Sequence, residues 1–71
     1  MSEQPEFVTR MVRELHDLRD KANKLEAFLD GEAIKALSEA DQALLAAQHA
    51  AMSTYEHILS LRLSKHLPAS N

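Results

Sequence analysis

The strongest constraint on the fold is a set of apolar residues that recur at alternating steps of three and four through the first half of the chain. The set is Val8, Met11, Leu15, Leu18, Ala22, Leu25 and Leu29. This spacing places every member on one stripe of an α-helix, and its heptad regularity is typical of a helix that packs against another helix. We therefore predict a first helix over residues 5–30.

A short turn is expected after this helix. Gly31 follows Asp30 and is the only glycine, so we predict that it ends the helix in a left-handed conformation. Residues 32–37 contain enough apolar side chains for one helical turn, which would pack Ile34 and Leu37 against the hairpin.

A second helix is predicted over residues 38–65. Ser38 followed by Asp41 is typical of a capped helix start. Pro68 limits the helix at its other end, because the residue before a proline avoids the α conformation. Residues 67–71 are predicted to form a short disordered tail.

The predicted fold class is all-α, with two long antiparallel helices in a hairpin and a short connecting helical turn, within a single domain of residues 1–71. A chain of 71 residues buries a small core, and it contains no cysteine for disulfides or thiolate metal sites. Small domains of this kind are commonly stabilised by oligomerisation. We therefore expect the hairpin to assemble into a homo-oligomeric helical bundle.

The second helix contains polar residues within its apolar surface. One apolar row comprises Leu37, Leu44, Ala51 and Ile58, and the other comprises Leu45, Met52 and Leu59. Gln48, Tyr55 and Arg62 recur every seven residues between these rows. They can fix the register and size of an oligomer, or they can line a ligand pocket between subunits. Arg62 in particular requires an anionic partner if it is buried.

The first helix carries a basic and aromatic group, Phe7, Arg10, Lys21 and Lys24. Phe7 can stack on a base, and the two lysines, three residues apart, can hold a phosphate. The alternative is that the charges form a solvated helix face and that Phe7 packs on the hairpin. Both interpretations stay open at this point.

Composition and spacing narrow the classes of function. The net charge of −3 argues against binding of long nucleic acid, and no apolar run is long enough to span a membrane. The four histidines, His16, His49, His57 and His66, lack the spacing of a helical metal site. No glycine-rich phosphate loop or activated nucleophile is recognisable. We therefore predict a cytosolic protein that is not an enzyme and needs no metal or other cofactor.

Three stretches of the chain resemble those of the phage anti-CBASS cyclic-nucleotide sponges, the Vs-like small phage proteins. They are Phe7-x-x-Arg10, Lys21-x-x-Lys24-Leu25-Glu26-Ala27-Phe28 and Leu44-Leu45-x-x-Gln48-x-x-Ala51-Met52-x-x-Tyr55-x-x-Ile58-Leu59-x-x-Arg62. The resemblance implies a two-helix chain that forms homo-oligomers, typically hexamers. It also implies a phage-encoded immune-evasion protein that sequesters cyclic di- and trinucleotides in the host bacterial cytoplasm without hydrolysing them.

The resemblance also implies a set of ligand-binding residues. Phe7 would stack on a base, Lys21 and Lys24 would bind phosphate, and Arg62 would meet phosphates where chains converge. Arg10 and Tyr55 complete the predicted site. The alternative function is a structural or adaptor hairpin that binds a partner protein through its apolar stripe.

Overall fold

The computed structural model describes residues 5–66 and contains two long helices side by side in a hairpin. Helix α1 spans Glu6–Asp30 and helix α2 spans Glu39–Ser64, and a 3₁₀ helix over Ala33–Ala36 connects them. The molecule is elongated, with extents of 53 × 23 × 15 Å. The predicted all-helical hairpin with a short connecting turn is therefore confirmed. The predicted tail at 67–71 lies outside the described residues.

Local hydrogen bonds define where each long helix begins. The carbonyl oxygen of Pro5 accepts from the backbone N–H of Val8 at 3.0 Å, so Pro5 directly precedes α1. The side chain of Ser38 accepts from the backbone N–H of Asp41 at 3.1 Å, which is the cap that the sequence predicts for α2. This bond satisfies one of the free N–H groups in the first turn.

The predicted left-handed conformation of Gly31 is wrong. Its φ of −92° and ψ of −179° are extended, and its N–H donates to the carbonyl oxygen of Phe28 at 3.2 Å. The chain leaves α1 in an extended conformation, and the 3₁₀ helix begins two residues after Gly31. Glycine suits this position because the backbone of α1 passes close to it. A Cβ on residue 31 would lie 3.3 Å from the carbonyl oxygen of Ala27.

The apolar stripe of α1 forms one side of the core, as predicted. All seven members are buried or partly buried, and Val8, Met11 and Leu15 join Leu59 and Leu63 of α2 in one cluster. This cluster lies where α1 begins and α2 ends, and Val8 and Leu59 are fully buried there. Ile34 of the connecting 3₁₀ helix is also buried, as the sequence predicts.

The hairpin buries only one of the two apolar rows of α2. Leu45 and Met52 are partly buried and Leu59 is fully buried, whereas Leu44 remains 67% exposed and Ile58 46% exposed. The expected position of Gln48, Tyr55 and Arg62 in the middle of the packed face is therefore wrong for the single chain. The stripe of α1 contacts the surface centred on the row of Leu45, Met52 and Leu59, so the three polar residues lie along the edge of the contact.

Polar contacts between the helices cover the opposite edge. Arg19 donates a hydrogen bond to the Ser60 hydroxyl at 3.3 Å and forms an ion pair with Glu56 at 3.6 Å. His49 approaches Glu26 at 3.6 Å.

No helix within residues 5–66 combines the length and apolarity needed to cross a bilayer.

Candidate functional site

One side of the hairpin carries all six residues that the sequence predicts as a site. Each residue on this side comes one position before a residue that packs against the other helix. One position along an α-helix is a rotation of about 100°, so such a residue points to one side of the packed face. Because the two helices are antiparallel, this side is the same for both of them. We call this surface the pocket face. Its members are Phe7, Arg10, Glu14, Asp17, Lys21, Lys24 and Phe28 of α1 with Leu44, Gln48, Ala51, Tyr55, Ile58 and Arg62 of α2.

A cleft of about 400 Å³ lies on the pocket face. Its volume is within the range of roughly 300–1,000 Å³ that small-molecule sites occupy. It is lined by Arg10, Arg13, Glu14, Asp17, Leu18, Lys21 and Tyr55. The structure thus brings together three of the predicted residues, Arg10, Lys21 and Tyr55, from both helices.

Tyr55 joins the two helices at this cleft. Its hydroxyl donates a hydrogen bond to Oε2 of Glu14, and its side chain stays accessible because the residue is 39% exposed. This bond to Glu14 is the main reason that the pKa of Tyr55 is raised, with further contributions from desolvation and from the Glu14 charge. The positive charge of Arg62 acts in the opposite direction. Arg62 is therefore electrostatically coupled to Tyr55.

The other predicted residues flank the cleft without lining it. The ring of Phe7 meets the ring of His66 edge-on, with centroids 5.0 Å apart. Lys24 forms an ion pair with Asp20 at 3.1 Å, one turn away on α1. Phe7 and Lys24 thus each contact a residue outside the cleft, whereas Lys21 lines the cleft itself.

The pocket face is more basic than the chain as a whole. It holds four cationic side chains, Arg10, Lys21, Lys24 and Arg62, and two acidic ones, Glu14 and Asp17, although the net charge of the chain is −3. None of the ion pairs formed among residues 5–66 involves a residue that lines the cleft. Arg10, Arg13 and Lys21 are thus able to contact an anion.

Sequence reasoning missed three charged residues of the cleft, Arg13, Glu14 and Asp17. The sequence did contain a sign that Glu14 and Asp17 share a surface with Arg10 and Lys21, because the four residues are spaced by four, three and four positions. Charged residues at this spacing on a helix are, however, ordinarily solvated, so the pattern alone does not indicate a site. No group of three His, Asp or Glu side chains suited to a metal ion occurs within residues 5–66.

Comparison with known families identifies the chain. The model of the Sequestin family matches residues 5–65, which cover both helices and their connection. The chain belongs to the Sequestin family. The family name indicates a sequestering role and fits the resemblance to the anti-CBASS sponges. Every residue that lines the cleft lies within the part matched to Sequestin. No curated protein and no solved structure gave a significant match.

Proposed function

We propose that this Sequestin protein binds and sequesters the cyclic di- and trinucleotide messengers of bacterial CBASS defence, on behalf of a phage and in the cytoplasm of its host. The ligand is held and later released without hydrolysis, so the protein acts as a competitor for the messenger and is not an enzyme. Family membership supplies the sequestering role, and the sequence resemblance supplies the class of ligand.

The observation that carries this proposal is the cleft where Arg10, Lys21 and Tyr55 meet. A cyclic oligonucleotide presents anionic phosphates next to flat bases. Arginine and lysine bind phosphate oxygens through charge-assisted hydrogen bonds, and an exposed aromatic ring supports stacking worth roughly 1–3 kcal/mol per base. The cleft offers both kinds of group within one small volume.

Residues around the cleft extend the proposed binding surface. Phe7 is 41% exposed despite its contact with His66, so part of its ring is available to a base. Arg62 affects the ionisation of Tyr55 and thus contributes positive potential on the α2 side. Lys24 would add a further cation once a phosphate competes with Asp20.

We further propose that the protein acts as a homo-oligomer, with a hexamer favoured by the family resemblance. The exposed row of α2, with Leu44, Ala51 and Ile58, lies on the pocket face and supports this proposal. Contiguous exposed apolar side chains commonly mark an interaction surface. Burial of this row between copies would surround the cleft with neighbouring chains and would make it a site shared among subunits.

The same row supports the second candidate function, an adaptor that binds a partner protein. The two functions differ in what covers Leu44 and Ile58. In the sponge, copies of the chain cover the row, so the particle has several times the 8.0 kDa mass of the chain. In the adaptor, the row stays free until the partner binds, so the particle is a monomer or dimer. Native mass spectrometry separates these outcomes.

Calorimetric titration with a panel of cyclic di- and trinucleotides tests the proposed function. We expect at least one member to bind at micromolar protein concentration. Chromatography of the ligand after release from denatured protein should recover it intact, whereas hydrolysed product would contradict the non-enzymatic role. Absence of binding across the panel would overturn the function.

A further inference from the structure

We propose that Glu14 is a specificity-determining residue, which shifts the preference of the cleft toward phosphodiesters and away from phosphomonoesters. This inference rests on the proposed function and adds a reason for ligand selection. It starts from an unexpected feature of the cleft, namely that two carboxylates, Glu14 and Asp17, lie among three cations in a site proposed to bind anions. Glu14 is the one that a hydrogen bond from Tyr55 holds in place.

The position of Glu14 makes its charge unavoidable for a bound ligand. It precedes the core residue Leu15 and lies one helical turn from Arg10 on the pocket face. No ion pair within the described residues joins Glu14 to a neighbouring arginine or lysine. Its hydrogen bond with Tyr55 instead anchors the carboxylate at the cleft and restrains it from turning into solvent.

The same bond determines what Tyr55 offers to a ligand. A tyrosine hydroxyl has a single hydrogen to donate, and here that hydrogen is directed at Glu14. Towards the cleft, the pair therefore presents acceptor oxygens, which cannot donate to a phosphate. Tyr55 contributes its ring to binding, while Glu14 contributes repulsion that grows with the negative charge of the ligand.

Charge balance gives this repulsion a selective effect. Arg10, Arg13 and Lys21 alone would favour whichever ligand carries more negative charge. Glu14 and Asp17 reduce the formal charge of the cleft to that of one cation. A phosphodiester carries one negative charge per phosphate, whereas a monoester carries about −1.5 to −2 at neutral pH. The mixed cleft therefore matches the charge of one diester phosphate.

A matched pair of ligands tests the inference. One is a cyclic dinucleotide, and the other is its linear form opened by hydrolysis of one ester bond, which has the same bases but one terminal monoester. Affinities for both are measured by calorimetry with the full chain and with Glu14→Gln. Glutamine keeps a similar shape and an acceptor for Tyr55 but removes the charge.

We expect Glu14→Gln to strengthen binding of the linear ligand more than that of the cyclic one. In a solvated cleft, removing one protein charge changes affinity by roughly threefold for each unit of charge on the ligand. The linear ligand carries about one more negative charge than the cyclic one. The ratio of the two affinities should therefore fall by about threefold. Glu14→Ala, which also removes the charge, should narrow it similarly. Circular dichroism verifies that both variants remain helical.

A control variant separates charge in the cleft from a general change in net charge. Glu32→Gln makes the same change in net charge in the connection between the helices and should retain the preference of the unchanged protein. Tyr55→Phe removes the hydrogen bond that anchors the carboxylate at the cleft, so it should narrow the preference in the same direction as Glu14→Gln. An unaltered preference in Glu14→Gln, or an equal change in Glu32→Gln, would overturn the inference while the proposed function stands. Failure of the unchanged protein to bind either ligand would overturn both.

Discussion

The hydroxyl of Tyr55 on α2 donates a hydrogen bond to the carboxylate of Glu14 on α1, across the hairpin. Because Tyr55 is the only tyrosine and the chain has no tryptophan, ultraviolet absorbance of the phenolate reports on this residue alone. We expect its titration midpoint to lie above the ordinary value near 10, since ionisation breaks the bond and places two negative charges side by side. Glu14→Gln should move the midpoint back toward the ordinary value.

The same shift has a consequence for stability. The folded-state pKa of Tyr55 lies above its unfolded value, so the folded protein favours the neutral phenol. The contribution of the bond to stability is therefore fully present below pH 10 and is lost as the pH rises through the folded-state pKa. Thermal unfolding followed across this range should show a loss that Tyr55→Phe lacks. A midpoint at or below the ordinary value would contradict the bond.

Lys21→Ala is expected to weaken binding of a cyclic dinucleotide by about tenfold or more, because a charge-assisted bond to phosphate contributes roughly 1.5–3 kcal/mol. Lys24→Ala should have a smaller effect, since Lys24 is already paired with Asp20 and lies outside the cleft. Calorimetry measures both. Lys35→Ala is the matched control, because Lys35 pairs with Glu32 in the connection. Equal losses for Lys21→Ala and Lys35→Ala would show that the effect is not local to the cleft.

Leu59→Ala should lower the free energy of unfolding by about 2–5 kcal/mol, because Leu59 is fully buried and its truncation leaves a cavity. Leu61→Ala, a truncation of the same size at a residue that is 52% exposed, should change it by only about 0.5 kcal/mol. Urea denaturation at a fixed chain concentration compares the variants, since association shifts the apparent stability. Similar losses at both positions would mean that the packing face of α2 is assigned incorrectly.

Ile58→Asp is expected to dissociate the proposed oligomer while leaving the hairpin helical. A buried aspartate without a partner is costly at an apolar interface, whereas Ile58 is 46% exposed in the single chain and its loss spares the core. Native mass spectrometry should show a fall toward the single-chain mass. His57→Asp places the same charge at a neighbouring exposed residue outside the pocket face and should leave the mass unchanged. An intact oligomer in Ile58→Asp would exclude this row from the interface.

The first helix could be predicted almost completely from the sequence. The seven residues of the α1 stripe recur at alternating steps of three and four, and most of the residues between them are polar, so one stripe is available for packing. The start of α2 was equally predictable, because the Ser38 side chain caps the Asp41 N–H through a local interaction. Such features depend on residues within a few positions of one another and need no knowledge of the rest of the fold.

The packing of α2 was less predictable because the helix has two apolar rows about one residue apart. Leu44 and Leu45 have the same side chain, and only the position of α1 determines that Leu45 is the more buried. The role of Glu14 was hidden for a similar reason. Its partner Tyr55 lies 41 residues away, so the contact arises from the register of the hairpin and leaves no local pattern.

The pocket face and the core are separated by one residue at every position along both helices. A single-residue insertion or deletion within either helix would rotate the following residues by about 100°, exchanging pocket residues for core residues over the remainder of that helix. New side chains on the pocket face are therefore accessible through substitution, or through changes of a whole heptad, while the length of each helix between its caps stays under strict constraint. A hairpin of this kind can vary the chemistry of one surface without varying the packing of its two helices.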